Sequence, residues 1–66
     1  MNVLDVVALT QDLPEHGLVR GQVGTIVEDL GGNVFEVEFA DTNGVPYAML
    51  GVKQKDLMLL THERVA

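Results

Sequence analysis

At 66 residues the chain has room for one domain, and a domain of that size buries only about 60% of the surface its unfolded chain exposes, so its stability is thin. It contains no cysteine, which excludes disulfides and thiolate zinc centres as substitutes for a large core. Ten acidic against four basic residues leave a net charge of −6, too few cations for a phosphate-tracking stripe, so nucleic acid is disfavoured as a partner.

The hydrophobic fraction is 47%, with few aromatics and no tryptophan. A small domain has more surface than interior, so part of this aliphatic load is expected to face another chain, as in a homo-oligomer. No segment approaches the ~20 apolar residues that span a bilayer, and no basic start leads into an apolar run. No membrane association is expected, and the cytoplasm is the expected compartment.

Leu4-Asp5-Val6-Val7-Ala8-Leu9 is rich in β-branched residues and reads as the first strand. Thr10 to Gln22 follows as the one long connection. Asp12 stands three residues before Glu15, the spacing of a capping box, and Pro14 suits a first helical turn because its missing N–H would be unpaired there. Gly17 can end that turn in a left-handed conformation. The stretch therefore predicts a single helical turn or compact bend, stapled to the domain by Leu13 and Leu18. Gly21 and Gly24, at the entry of the next strand, predict a bulge or a close backbone approach.

Gly24 to Leu30 forms the second run, and Gly31-Gly32-Asn33 supplies a short hairpin turn. Val34-Phe35-Glu36-Val37-Glu38-Phe39 then alternates strictly, Phe35, Val37 and Phe39 on one face and both glutamates on the other, as a half-buried antiparallel strand does. Asp41-Thr42-Asn43-Gly44 turns the chain into Val45 to Val52, where Pro46 must stand at the strand's start or on an unpaired edge. Lys53 to Asp56 suits one 3₁₀ turn. Leu57 to Leu60 reads as a short strand covered on both sides, and Thr61 to Ala66 is expected to fray. About five short antiparallel strands with one 3₁₀ turn before the last predict an all-β fold, a small SH3-like barrel. An OB-fold, the main rival, runs longer and carries a helix between its third and fourth strands, for which the gap here is too short.

The run Leu9-Thr10-x-Asp12-Leu13-Pro14-Glu15-x-Gly17-Leu18-x-x-Gly21-x-x-Gly24-Thr25-x-Val27-Glu28, continued by Glu36 to Phe39, Asp41 and Gly44, resembles the signature of a family of short uncharacterised bacterial proteins. That family is catalogued as a domain of unknown function, and the resemblance runs from about Leu4 to Leu60. It implies kinship, with a lead toward accessory loci, some of toxin–antitoxin kind. Gly21-x-x-Gly24-x-Ile26, with Leu18 and Arg20 before it, is more weakly similar to the KOW motif of ribosomal proteins and transcription elongation factors. RNA-binding KOW modules carry basic residues around that loop, whereas here Arg20 stands alone among Asp12, Glu15 and Glu28.

Catalytic chemistry finds little to work with. There is no serine or cysteine, and Thr10, Thr25, Thr42 and Thr61 lie in no motif that would activate them. His16 and His62 are far apart. Asp12, Glu15 and His16 can approach one cation through the bend, but a solvated loop is the simpler reading, and no metal or cofactor is expected. Glu36 and Glu38 read as a solubilising, edge-protecting pair rather than an acid and base. The expected function is a non-catalytic protein-interaction module, an antitoxin-like acidic partner of a basic protein. Its binding surface is expected in Thr10–Gln22 and Asp41–Tyr47, with Asp12, Glu15, His16 and Arg20 supplying charge, Tyr47 an amphipathic contact, and Asp41 among its residues. A structural homo-oligomer and an accessory subunit of a larger enzyme are the alternatives, with a KOW-like ribosome-associated module behind them.

Overall fold

Alternation dictates the centre of the molecule. In a computed structural model, which describes residues 1–60, the strand β3 (Val34–Ala40) buries Phe35, Val37 and Phe39 and leaves Glu36 and Glu38 half-exposed. β2 (Val23–Gly31) and β4 (Pro46–Lys53) flank it as antiparallel neighbours. β1 (Val6–Leu9) pairs with the far side of β2, and β5 (Leu57–Leu59) returns to pair with β1. The sheet order is β4-β3-β2-β1-β5. This is the predicted all-β arrangement of five antiparallel strands, with a 3₁₀ turn at Gln54–Asp56 directly before the last. No ladder joins β4 to β5 among the described residues, so these two form the edges of the sheet.

Val7 and Leu9 from β1, Ile26 from β2, Val52 from β4 and Leu57 at the head of β5 close the core around the three β3 residues, with Leu18 added from the long loop. Pro46 opens the edge strand β4, the position its missing donor requires. The frayed tail expected at 61–66 lies outside the described residues.

Two strand-level expectations are corrected, and a third is decided between its alternatives. β1 starts at Val6 rather than Leu4, because Asp5 closes a turn: its Oδ2 accepts the Asn2 N–H at 2.7 Å, and its own N–H donates to the Asn2 carbonyl at 3.0 Å. Leu4 is carried at φ 77° within that turn and is 76% exposed. β5 is not covered on both sides. It is an edge strand, so only Leu57 is buried while Met58 and Leu59 are about half-exposed. The bulges of β2 fall at Val27 and Leu30, not at Gly21 or Gly24: Ile26 faces Val37 and Glu28 faces Glu36, then Asp29 faces Phe35 and Gly31 faces Val34. Each extra residue adds local twist to the β2–β3 ribbon.

Gly24 instead makes the close backbone approach that the sequence offered as the alternative to a bulge. A Cβ there would stand 2.6 Å from Val37 Cγ1, 2.9 Å from the Glu38 carbonyl oxygen and 3.0 Å from Phe39 Cδ1. Two of these are core side chains and the third is backbone, so little can yield. Gly24→Ala should lower stability by about 1–3 kcal/mol, the range for overpacking a filled core. A urea midpoint unchanged from the parent would contradict this packing account.

Candidate functional site

The long loop is held by its own backbone. A 3₁₀ turn occupies Pro14–His16, and Gly17, at φ 68°, ends it in the left-handed conformation, its N–H donating to the Pro14 carbonyl. Leu13 and Leu18 exchange N–H donors and carbonyls at 2.9 and 3.2 Å, which is the expected staple, and Leu18 sinks into the core. The expected capping box is not formed. No side chain caps the turn, and Asp12 Oδ1 accepts the Arg20 N–H across the loop at 2.8 Å.

The six residues expected to bind a partner fall into separate places. Gln22 Nε2 donates to the Tyr47 hydroxyl at 3.0 Å, so the end of the loop does meet the start of β4. The Tyr47 ring is tilted against Phe39, with centroids 6.5 Å apart. Asp12 closes the loop through the Arg20 backbone, and Asp41 Oδ1 accepts the N–H groups of Asn43 and Val45 to form the β3–β4 turn. Glu15 and His16 lie elsewhere, along a groove of about 340 Å³ whose opposite wall includes Leu50, Val52 and Lys55. Asp12, Glu15 and His16 do not converge: among the described residues no three histidine, aspartate or glutamate side chains gather as cation ligands. His62 lies outside the described residues.

A division between the two kinds of carboxylate emerges. All five aspartates accept hydrogen bonds within the protein: besides Asp5, Asp12 and Asp41, Asp29 accepts from the Gly31 N–H, and Asp56 accepts from Gln11 Nε2 of the distant first loop. Among the described residues Glu15, Glu28, Glu36 and Glu38 accept no hydrogen bond from the protein, and the sole ion pair is a loose Lys55–Asp56 contact at 3.8 Å. A short side chain reaches its own turn, and the longer glutamate is left for solvent or a partner.

Three of those glutamates share the outer face of the sheet. Glu28 stands directly opposite Glu36. The row beside them crosses four strands as Val6, Thr25, Glu38 and Met49, and the next joins Ala8 to Val23 and Met58. Val23, Met49 and Met58 are each about half-exposed or more. β3 is paired on both sides, so Glu36 and Glu38 protect no edge, contrary to the expectation from sequence. What they create is an anionic, partly apolar face. Sequence reasoning missed Glu28 as a member of it, because its place opposite Glu36 depends on the bulge at Val27.

Like charges directly opposed across strands cost about 0.2–1 kcal/mol. Glu28→Gln should therefore stabilise the free protein by a similar amount at low salt. The gain should shrink toward zero near 1 M salt, where screening reaches ~3 Å. Thermal or urea unfolding at two ionic strengths checks this, and a destabilised variant would refute the repulsion.

Among the described residues no helix is long and apolar enough to cross a membrane. No curated protein and no solved structure matches the chain. A family match spans residues 3–59, which hold all five described strands, and the chain belongs to the family described as a domain of unknown function, DUF4926.

Proposed function

We propose that this domain is a non-catalytic protein-binding module whose partner is a basic protein, and that the outer sheet face is its main contact surface. The observation that carries the reading is the set Glu28, Glu36 and Glu38, three carboxylates gathered on one face without an internal cation among the described residues. Such a face repels itself in the free protein, and a cationic partner converts that cost into attraction and faster encounter. Val23, Met49 and Met58 add the exposed aliphatic and thioether contacts that make an interface more than a charge pair.

The loop supports this surface rather than forming it. Asp12 and Asp41 are spent on turns, and Tyr47 is anchored by Gln22. Glu15 and His16 remain as rim contacts on the far groove. The non-catalytic reading rests on the absence of serine and cysteine from the sequence and on threonines in no activating motif. A second reading, a homo-oligomer, is favoured by the unpaired edge of β4, where Tyr47 and Met49 are exposed and Lys53 is the one charged residue.

The discriminating experiment is affinity capture by the full chain from cells that express it, at low and high salt, beside a native mass of the purified protein. The expected result is a stoichiometric protein of net positive charge, released by salt and lost from the variant E28Q/E36Q/E38Q but retained by D12N/E15Q. Capture that survives the triple change moves the surface to the loop. A dimer with nothing else attached replaces the reading with the homo-oligomer.

A further inference from the structure

We infer that the end of the sheet formed by the β2–β3 turn and the second 3₁₀ turn is a binding site for a small oxyanion, a carboxylate or phosphate group carried on a short apolar body. The site is independent of the acidic face and of the partner proposed for it. Three lysine or arginine side chains lie among the described residues, Arg20, Lys53 and Lys55, and two of them meet here. Lys53, Lys55, Asn33 and Gln54 line a cavity of about 600 Å³ together with Met1, Val34 and Leu57. That volume lies within the ~300–1,000 Å³ usual for small-molecule sites. None of its described lining residues carries a carboxylate, in a chain where acids outnumber bases ten to four.

Its walls are fixed. Lys53 stands opposite Val34 in the β3–β4 ladder, and the Gln54 N–H donates to the Asn33 carbonyl at 2.8 Å, joining the two turns. On the other side the Thr10 N–H donates to the Asp56 carbonyl at 2.9 Å, and Gln11 Nε2 holds the Asp56 carboxylate at 2.8 Å. Asp56 and Glu15 both lie on the neighbouring groove, which the two lysines border as well, and the Asp56 contact with Lys55 Nζ is a loose 3.8 Å. Among the described residues Lys53 has no ion pair and Lys55 only this loose one, so both can act as point charges, the mode in which lysine binds phosphate and carboxylate. Met1, Val34 and Leu57 offer the apolar body a floor, and the Asn33 and Gln54 side-chain amides are neutral donors beside the charges.

The test is an amide chemical-shift titration of the full ¹⁵N-labelled chain at constant ionic strength, with inorganic phosphate, butyrate and butanol as probes. Saturable shifts confined to the amides of Gly32 to Val34 and Lys53 to Leu57 are expected with one or both anions, exceeding those with butanol. Tighter binding of phosphate identifies a phosphate compound as the source, and tighter binding of butyrate a carboxylate. The variant K53Q/K55Q should lose about tenfold or more in affinity, while K53R/K55R keeps it and both retain the parent's unfolding midpoint. Shifts that are unsaturable, spread over the molecule, equal with butanol or unchanged in K53Q/K55Q overturn the site.

Discussion

Val37 and Phe39 can fill the core only because Gly24 leaves β2 bare at the point where β3 crosses it. The contact of a side-chain-free backbone with two buried side chains sets the spacing of the central strand pair. Ile26, two residues on, then reaches the same interior. Among the described residues ten hydrophobic residues and no polar ones are buried, so the core is small and apolar. There is no disulfide and no buried ion pair among the described residues to compensate a misfit. Close packing at this crossing is consequently what the other strands are arranged around, and the bulges at Val27 and Leu30 lie beyond it, where the ribbon is free to twist.

The acidic residues divide their labour by side-chain length. Aspartate oxygens sit one carbon from the backbone and satisfy turn N–H groups, which is why Asp5, Asp29 and Asp41 each mark a change of direction. Glutamates on strands project past that range. Glu36 and Glu38 are outward because Phe35, Val37 and Phe39 are inward, and the two-residue period leaves no other choice. The negative face is thus a by-product of how the core is filled, until Glu28 is added from the neighbouring strand. Nothing in core packing requires an anion opposite Glu36, which is why the proposed cationic partner is sought at this face.

Period and turn chemistry made most of the fold legible. The alternation of β3, the Asn43-Gly44 turn, Pro46 at the start of β4, the 3₁₀ turn before β5 and the Gly17 cap all depend on residues within a few positions of one another. What escaped depends on pairings between distant segments. Apolar content alone made Leu4 a strand residue, but the Asp5 carboxylate holds a turn there. Leu57 to Leu60 reads as fully covered until the sheet order makes it an edge. The surface was the least legible part: Glu28 and Glu36 become neighbours only after a bulge shifts the register, and Lys53 and Lys55 become a pair beside Asn33 only once two turns are hydrogen-bonded.

These features bear on one another through the thin stability of a 66-residue domain. Stability of a few kilocalories per mole is sensitive to each opposed charge pair, and it is equally sensitive to whatever binds the folded state. A ligand present at 100 times its dissociation constant adds about 2.7 kcal/mol, more than the repulsion between Glu28 and Glu36 removes at the upper end of about 1 kcal/mol. Under the proposed function, a face that is costly alone and favourable when covered couples folding to occupancy. The lysine-lined end carries the opposite charge on the same scaffold, so the two proposed surfaces suit ligands of opposite charge.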